Sequence, residues 1–564
     1  MSQKDLKVAE SIARAIRRFE TDYFFQFTGG DQGLFLALHD AGIKFAPARS
    51  ESAAVYMADG YSRISYKPSF VYGQYGPGAA NIAAAMADPF WASSPVVAIT
   101  TSPSNRTRYK YEYQEIDQLK MFDPVTKWNG YLTDPRRGAE LVRIATKTAL
   151  SGSPGPTHLD VPADFLDMDL DIQEDLSRDK IREYPLFRCA PDDSKIIEAV
   201  NMLSRAERPV LVAGTGVLLS RACEDLIRLA ELEGIPVATS MGGKGSIPET
   251  HPLSIGVIGR YSRKSANRII ANADLLVFVG CRLGGLVTNV YAIPKRGTKI
   301  IHIDISPNTL ENNFRADVPI LADAKLALKA IYDACKEGQI SRPPDNSWAS
   351  ETRKITSEWR KEFDAITSTT SSVLKPQKVI KCLRELLAEN DVVVADTGYM
   401  GAWTGALFDV LSAGRNYIRA TGSLGWGFPA SIGAKLAAPD RNVVCVSGDG
   451  GIGYHIMELE TALRLHASVV VLVMNNRSLA FEYHDQKYLW GRVLNEVNDF
   501  LDVDYGRIAS AFGAQGERVE KEGELREALK RAIEAQKPSL VDVIVDKEEY
   551  APTTYYEQVV ERKL

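Results

Sequence analysis

The stretch that decides the fold reads Gly448-Asp449-Gly450, then residues 451–474, then Asn475-Asn476. Residues 443–446 and 469–474 are continuous apolar runs, which are typical of buried parallel strands, and a helical pattern lies between them. A strand–helix–strand unit of this kind brings Asp449 and Asn476 to the carboxyl edge of one sheet, where open α/β sheets bind their ligands. We therefore expect a binding site at this edge.

The chemistry of these side chains indicates what the site binds. A carboxylate, an amide oxygen and the backbone carbonyl of Ser478 are hard oxygen ligands, which suit Mg²⁺ together with diphosphate oxygens. The glycines around Asp449 let backbone amides approach a phosphate closely, and the start of the following helix adds a favourable partial charge. The alternative is a glycine-rich turn before a buried helix, with both asparagines in a turn of their own.

The alternation of strands and amphipathic helices recurs in three segments of the chain. This pattern predicts the α/β class, with three doubly wound parallel-sheet domains. We expect the domains at residues 1–175, 191–340 and 370–548, followed by a C-terminal tail at residues 549–564. An acidic, irregular stretch precedes the second domain, and a stretch rich in Pro, Ser and Asn precedes the third.

Composition and charge disfavour several classes of protein. With 67 Lys and Arg against 72 Asp and Glu, the 564 residues carry a net charge of −5 and no run of like charge, so no nucleic-acid partner is expected. The N-terminal residues lack the apolar core of a secretory signal, and no apolar run approaches the roughly 20 residues of a membrane span. The six cysteines are scattered, which favours reduced thiols. We therefore expect a cytoplasmic protein that binds a small molecule.

Further blocks of sequence, taken with the GDG…NN spacing, resemble a known family. They are residues 50–63 (SESAAVYMADGYSR), 76–79 (GPGA), 113–117 (YQEID), 154–157 (PGPT) and 422–430 (GSLGWGFPA). In this order they resemble thiamine-diphosphate enzymes, and the whole chain resembles the acetolactate synthase/pyruvate oxidase-like branch. The resemblance implies thiamine diphosphate and Mg²⁺ as cofactors. It also implies pyrimidine-binding, central nucleotide-binding-like and diphosphate-binding domains, in that order.

The resemblance further implies an assembly. The cofactor would bridge the first domain of one subunit and the third domain of another. A homodimer is then the minimum active unit, and a homotetramer is common in the family.

Catalytic and cofactor roles follow from the resemblance residue by residue. Glu51 would hold a proton against the aminopyrimidine ring of the cofactor, whose amine then removes the C2 proton of the thiazolium. Taken alone, Glu51 is an ordinary carboxylate at a helix start beside Ser50. Leu424 stands where the family places a bulky wedge beneath the two rings, although it could equally be a core leucine. The expected metal ligands are Asp449, Asn476 and Ser478, and the expected cofactor contacts are Gly398, Tyr399, Met400, Gly422, Leu424, Gly448, Gly450 and Gly451.

Two further residues resemble catalytic groups of the family. Gln114 resembles an active-site glutamine that reaches in from the neighbouring subunit. Residues 477–485 lack the Gln-Gly-Met run and the tryptophan of acetolactate synthases proper, which counts against a true biosynthetic acetolactate synthase. Glu482 instead lies where decarboxylases of the pyruvate decarboxylase type place a catalytic glutamate, and the alternative is an exposed helix carboxylate.

Several polar residues near these motifs have competing interpretations. Asp31 and Gln32 could bind a substrate carboxylate or hydroxyl, or could cap the helix that follows. His484 and His455 are expected to serve packing rather than proton transfer. The central segment carries glycine motifs where relatives hold FAD or ADP, but a lone GxG after a strand is a weak signal. These motifs are Gly214-Thr215-Gly216, Gly243-Lys244-Gly245 and Gly280-Cys281-Arg282-Leu283.

Three functions are compatible with the sequence. The leading hypothesis is a lyase or carboligase that decarboxylates a 2-oxo acid, with or without transfer of the product to an acceptor. The second keeps the cofactor but cleaves a 2-hydroxyacyl-CoA or hydrolyses a cyclic diketone, with Tyr555, Tyr556 and Lys563 of the tail closing over the substrate. The third is a catalytically idle regulatory homologue, and the retention of Glu51 and the metal ligands counts against it.

Overall fold

The computed structural model describes residues 6–27, 29–170, 183–338, 346–369 and 371–554. Along this part of the chain lie three six-stranded sheets in which every strand pair is parallel, and helices alternate with the strands. Parallel strands need crossover connections, which the helices supply. The predicted α/β class with three parallel-sheet domains is therefore confirmed. The tail residues Tyr555, Tyr556 and Lys563, and the loop residue Thr28, lie outside the described residues.

The first sheet has the strand order β3-β2-β4-β5-β7-β6, and β1 pairs with β8 in a separate antiparallel ribbon. The strands are β1 (Leu6–Lys7), β2 (Tyr23–Gln26), β3 (Lys44–Pro47), β4 (Ser69–Gly73), β5 (Val96–Ser102), β6 (Trp128–Tyr131), β7 (Thr157–Pro162) and β8 (Asp169–Leu170). The helices are α1 (Val8–Arg17), α2 (Gln32–Asp40), α3 (Glu51–Ser65), α4 (Pro77–Ala85), α5 (Ala87–Ala92), α6 (Gln118–Phe122), α7 (Gly138–Leu150) and α8 (Ala163–Leu166). Apolar side chains of α1, α2 and α7 form one core with this sheet.

The central sheet has the strand order β11-β10-β9-β12-β13-β14. The strands are β9 (Pro209–Ala213), β10 (Val237–Thr239), β11 (Ser254–Val257), β12 (Leu275–Val279), β13 (Lys299–Asp304) and β14 (Val318–Leu321). The helices are α9 (Asp193–Arg205), α10 (Thr215–Leu219), α11 (Cys223–Glu233), α12 (Lys264–Ile270), α13 (Ala324–Glu337) and α14 (Ser347–Ser368). Two separate apolar clusters contain residues of this sheet. This explains why its inner strands are apolar at successive positions rather than at alternate ones.

The third sheet has the strand order β16-β15-β17-β18-β20-β19. The strands are β15 (Val392–Ala395), β16 (Tyr417–Arg419), β17 (Val443–Gly448), β18 (Val470–Asn475), β19 (Gln515–Val519) and β20 (Ser539–Ile544). The helices are α15 (Pro376–Leu386), α16 (Tyr399–Leu407), α17 (Gly427–Ala437), α18 (Asp449–His455), α19 (Glu458–Arg464), α20 (Ala480–Asp485), α21 (Asn495–Asn498), α22 (Tyr505–Phe512) and α23 (Glu522–Glu534). The crossover between β17 and β18 consists of α18 and α19, and α18 begins at Asp449 itself, directly after the strand.

The described residues fall into two compact units. One comprises Met1–Phe187, Ala420–Asp440 and His455–Val469, and the other comprises Arg188–Arg419, Arg441–Tyr454 and Val470–Leu564. Helices α17 and α19 of the third segment therefore belong to the same unit as the first sheet. Within that unit α17 packs along α3, which is buried from Ala53 to Ile64. The predicted domain limits stay predictions.

None of the helices in the described ranges combines the length and apolar character that crossing a membrane requires.

Candidate active site

Glu51 is the first residue of α3, and its side chain faces the start of α4. Ser50 caps α3, because its hydroxyl oxygen accepts a hydrogen bond of 3.2 Å from the N–H of Ala53. The side-chain amide of Asn81 donates to Glu51 Oε2 at 3.0 Å. A Cβ at Gly78 would lie 3.3 Å from Glu51 Oε1, so the first turn of α4 passes close to the carboxylate. The Glu51 side chain is half-buried, and Asn81 holds one of its two oxygens.

Gln114 lies against the same turn. Its backbone is left-handed, with φ of 62°, and a Cβ on Gly76 would overlap the Gln114 carbonyl oxygen. The Oε1 atom of Gln114 is buried and has no hydrogen-bond partner among the described residues. The next glutamine along the chain, Gln118, accepts the N–H of Gly76 at 3.4 Å and donates to Asp160 at 2.9 Å. Gln114 and Glu51 thus both lie close to residues 76–78.

The predicted cofactor loop that contains Gly422 and Leu424 belongs to the same unit as Glu51. Gly422 is exposed and Leu424 is half-buried. His455 lies between this loop and α3, because one ring nitrogen is 3.0 Å from the carbonyl oxygen of Gly425 and the other is 3.2 Å from the hydroxyl of Ser52. The expectation that His455 is structural agrees with its burial and with these two contacts.

The structure brings the predicted metal ligands together at the edge of the third sheet. The N–H of Ser478 donates at 3.1 Å to Asp449 Oδ2 and at 3.1 Å to Asn476 Oδ1, so the two oxygens converge on one hydrogen. Burial raises the pKa of Asp449 to about 6, although backbone N–H groups of Gly450 and Ser478 oppose the shift. The hydroxyl of Ser478 is buried without a hydrogen-bond partner among the described residues. The convergence of a buried carboxylate oxygen and an amide oxygen fits a divalent cation.

A second part of the same edge follows strand β15. Gly398 has a φ of 85° and precedes α16, and a Cβ there would meet no atom within 4 Å. The hydroxyl of Thr397 is buried without a partner in the described part of the chain. A Cβ on Gly451 would lie 2.5 Å from Asp396 Oδ2, so only glycine fits there. Tyr399 and Met400 begin α16 and are buried. The hydroxyl of Thr397 and the accessible backbone of Gly398 would suit hydrogen bonds to a diphosphate.

The remaining predicted residues have mixed environments. Glu482 is exposed on α20, as the alternative interpretation holds, and its catalytic role stays a prediction. His484 on the same helix is fully buried. Its Nδ1 lies 2.6 Å from the hydroxyl of Tyr399, so His484 packs against the start of α16. Asp31 accepts a hydrogen bond of 3.1 Å from the N–H of Leu34 and so caps α2, with Gln32 exposed. The capping interpretation explains Asp31 without a substrate.

Packing accounts for two of the glycine motifs in the central domain. The N–H of Gly216 donates to the carbonyl of Gly280 at 2.9 Å, and a Cβ on Gly216 would lie 2.6 Å from the Cα of Gly280. Lys244 is fully buried and donates to Glu249 at 2.5 Å, so its charge is paired with a carboxylate of the protein itself. Binding of FAD or ADP by the central domain stays a prediction.

Sequence reasoning assigned no role to Asp88, and it quoted Trp426 only as part of the block at residues 422–430; both residues hold the predicted cofactor loop. Asp88 accepts hydrogen bonds from the N–H groups of Thr421, Gly422 and Ser423. Trp426 donates its indole N–H to Asp59 at 2.9 Å. No short motif marks Asp88, because it lies 333 residues from Thr421 in the sequence.

Three family models match the chain in sequence order. The N-terminal TPP-binding domain of thiamine pyrophosphate enzymes matches residues 6–121, the central domain matches residues 196–331, and the C-terminal TPP-binding domain matches residues 396–543.

Curated relatives match over nearly the whole length. A probable acetolactate synthase large subunit of Methanocaldococcus jannaschii is 34% identical, over 97% of this chain and 93% of that protein. The acetolactate synthase large subunit of Buchnera aphidicola is 31% identical, and the isozyme 3 large subunit of Escherichia coli is 30% identical, each over 97% of this chain and 96% of the relative. The chain therefore belongs to the thiamine pyrophosphate enzymes, in the acetolactate synthase/pyruvate oxidase-like branch, and is a thiamine-diphosphate-dependent enzyme of carbon–carbon bond transfer or cleavage.

Proposed function

We propose that this enzyme is a lyase or carboligase that acts on a 2-oxo acid, releases CO₂, and protonates the remaining fragment or transfers it to an acceptor. The observation that carries the proposal is the convergence of the Asp449 and Asn476 oxygens on one N–H, within the span that matches the C-terminal TPP-binding domain. The names of the relatives, acetolactate synthase large subunits, support pyruvate or a similar 2-oxo acid as donor.

In this proposal Asp449, Asn476 and the Ser478 carbonyl would hold Mg²⁺, whose charge would favour binding of the diphosphate. A bound cation would offset the unfavourable free energy of burying the ionised Asp449 carboxylate. Residues 396–401 and the glycines around Asp449 would contact the diphosphate through backbone and hydroxyl groups. FAD or ADP in the central domain is a separate proposal, and the absorbance spectrum and mass analysis of purified protein test it.

Thiamine diphosphate, when bound, would supply the nucleophilic carbon for attack on a substrate carbonyl. Glu51 would keep a proton at the aminopyrimidine ring nitrogen, with Asn81 fixing the carboxylate. Gln114 would use its side-chain amide to orient the substrate carbonyl. Glu482, which is exposed, would exchange a proton with solvent and deliver it to the product. As in the family, a homodimer would be the minimum active unit.

A 2-hydroxyacyl-CoA lyase or a diketone hydrolase is the second candidate. Residues 477–485 differ from the Gln-Gly-Met run of acetolactate synthases proper, and they lie directly after the metal ligand Asn476. A panel of 2-oxo acids, acyl-CoA thioesters and cyclic diketones separates the candidates. CO₂ release from a 2-oxo acid supports the first candidate, and turnover of only a thioester or a diketone supports the second.

Glu51→Gln tests the proposed activation step. The amide cannot share a proton with the ring nitrogen in the same way, so we expect a loss of about 10²-fold or more in turnover. Thiamine diphosphate should still bind, because the diphosphate site is unchanged. Turnover is measured as CO₂ release with saturating cofactor and Mg²⁺.

Glu140→Gln is the matched control, because Glu140 is an exposed glutamate on α7. It should leave turnover unchanged. Full activity of Glu51→Gln would contradict the proposed role of Glu51.

A further inference from the structure

The carboxylate of Asp88, in the first turn of α5, accepts three consecutive backbone N–H groups of the cofactor loop. The nitrogens of Thr421 and Ser423 lie 3.0 Å from its oxygens, and the nitrogen of Gly422 lies 3.3 Å away. The hydroxyl of Thr421 also donates to the backbone carbonyl of Asp88 at 3.0 Å. One buried residue thus fixes the whole first half of the loop.

Asp88 is itself held by a buried charge network. Arg63 lies 3.1 Å from Asp88 Oδ1 and 2.5 Å from Asp59 Oδ2, so one guanidinium bridges two carboxylates. Asp59 also accepts the indole N–H of Trp426 at 2.9 Å, and the Arg63 guanidinium lies 4.6 Å from the centre of that ring. All four side chains are at most 8% exposed.

Hydrogen bonds from the loop compensate the excess negative charge of this network. Two carboxylates face one guanidinium, so one negative charge in excess is buried. The three loop N–H groups and the indole N–H supply the compensating hydrogen bonds, which are strongest when the acceptor is ionised. Withdrawal of the loop would leave the Asp88 carboxylate buried without these donors, which is unfavourable.

The position of Leu424 follows from these contacts. Thr421, Gly422 and Ser423 lie outside helices and strands, and Gly425 has a φ of 82°. The amide hydrogen bonds to Asp88 define the direction in which the chain enters Leu424, and His455 holds the Gly425 carbonyl on the other side. Leu424 is therefore fixed from both ends by groups of the same unit.

We infer that Asp88 is a positioning residue for cofactor binding, which acts through the amides of Thr421, Gly422 and Ser423 to place Leu424 and the Gly422 carbonyl. This inference rests on the proposed function, in which Leu424 and Gly422 contact the cofactor rings. The same network ties the loop to α3, the helix that begins at Glu51. Asp88 therefore sets the affinity and ring geometry of thiamine diphosphate and touches neither substrate nor cofactor.

Asp88→Asn in the full-length enzyme tests the inference. The amide keeps the shape but presents an NH₂ group to at least one of the three loop N–H donors. We expect the dissociation constant of thiamine diphosphate, measured calorimetrically with saturating Mg²⁺, to rise about tenfold or more. The near-ultraviolet circular dichroism of the bound cofactor should change, and kcat should fall, while the KM of the 2-oxo acid changes less than about threefold.

Asp323→Asn is the matched control. Asp323 is also buried, accepts the N–H groups of Lys325 and Leu326, and contacts Arg188, but it caps α13 in the central domain. This control should leave cofactor affinity within about twofold of wild type. Equal effects of the two variants on cofactor affinity would show a general structural role and would overturn the inference.

Thr421→Val and Leu424→Ala complete the test. Thr421→Val removes only the hydrogen bond to the Asp88 carbonyl, so it should fold even if Asp88→Asn does not, and we expect cofactor affinity to fall about threefold. Unchanged affinity in Thr421→Val and in any folded Asp88→Asn would overturn the inference. If Leu424→Ala and Glu51→Gln are both fully active, the proposed function fails. If Leu424→Ala and Glu51→Gln are impaired but Asp88→Asn and Thr421→Val bind the cofactor as wild type does, only the inference about Asp88 fails.

Discussion

At the scale of single residues, aromatic contacts of Tyr399 connect the predicted cofactor edge of the third sheet to helix α20. The hydroxyl of Tyr399 lies 2.6 Å from Nδ1 of His484, and the two rings stack with centroids 5.4 Å apart. Phe481 packs against Tyr399 with its centroid 4.7 Å away, and Tyr488 also stacks on His484. A neutral ring fits this site, because its Nδ1 then accepts the hydroxyl hydrogen.

The stability of this contact should depend on pH. Burial is the largest cause that lowers the pKa of His484, to about 4, and the nearby Lys487 ammonium lowers it further. In the unfolded chain His484 is protonated near pH 6.5, whereas in the folded chain it is protonated only near pH 4. Acidification through this window therefore favours unfolding. For one histidine the loss between about pH 7.5 and pH 5 is at most about 2 kcal/mol.

His484→Asn should reduce this acid sensitivity, because the asparagine oxygen still accepts from Tyr399 but does not titrate in this range. The measurement is the free energy of unfolding in urea at the two pH values, compared with that of wild type. His39→Asn, at an exposed position on α2, should keep the wild-type pH dependence. An identical pH dependence in His484→Asn would show that His484 carries a charge in the folded protein.

The sequence suggested candidate site residues inside contiguous motifs, and their roles stay predictions; it gave no sign of residues that make contacts across the fold. Asp449 and Asn476 could be paired because a strand–helix–strand unit returns both to one edge. Asp88 could not be found, since a single aspartate in a helix gives no sign of a loop 333 residues away. The Asp31 interpretation stayed open because capping and ligand binding call for the same residue type.

At the scale of elements, two helices approach so closely that their backbones touch. A Cβ on Gly433 of α17 would overlap the carbonyl oxygen of Met57 in α3, and a Cβ on Gly60 of α3 would overlap that of Ala430 in α17. Both helices begin in blocks that resemble the family, residues 50–63 and 422–430, but the resemblance did not predict this pairing. The order of strands within each sheet was likewise beyond the sequence, because every buried strand presents a similar apolar surface.

Gly433→Ala should force α3 and α17 apart. We expect a loss of about 1–3 kcal/mol in the free energy of unfolding, because an extra methyl has no space between two backbones. Gly523→Ala in α23 is the control, since a Cβ there meets no atom within 4 Å and should be neutral or stabilising. A thermal unfolding midpoint of Gly433→Ala equal to that of wild type would show that the helices can separate without cost.

At the scale of the whole molecule, a buried network of charges joins the central and third sheets within one compact unit. Lys244 and Arg263 both contact Glu249, at 2.5 and 3.1 Å, and Arg263 also contacts Asp409 at 2.5 Å. Burial raises the pKa of Asp409, but Arg263 and Arg360 outweigh this and lower it to about 2. The network connects residues near β11 to the end of α16, the helix that begins at Tyr399.

Glu249→Gln should weaken this connection. It leaves Lys244 buried without its carboxylate, and loss of one partner of a buried ion pair costs about 3–5 kcal/mol. The measurement is the urea dependence of far-ultraviolet circular dichroism. Glu231→Gln, at an exposed position in the same domain, should cost less than about 1 kcal/mol. Equal midpoints for the two variants would mean that water or another group replaces the missing charge.

The placement of α17 and α19 has a consequence for protein engineering. These helices fold with the unit of the first sheet, while β17 and β18 beside them in sequence belong to the other unit. The third sheet is therefore not an autonomous module. A gene fragment cut at the predicted limits of the third domain, residues 370–548, would lack α3. The side of α17 that carries Gly433 would then be exposed to water, so an exchange between related enzymes should transfer the first and third segments together.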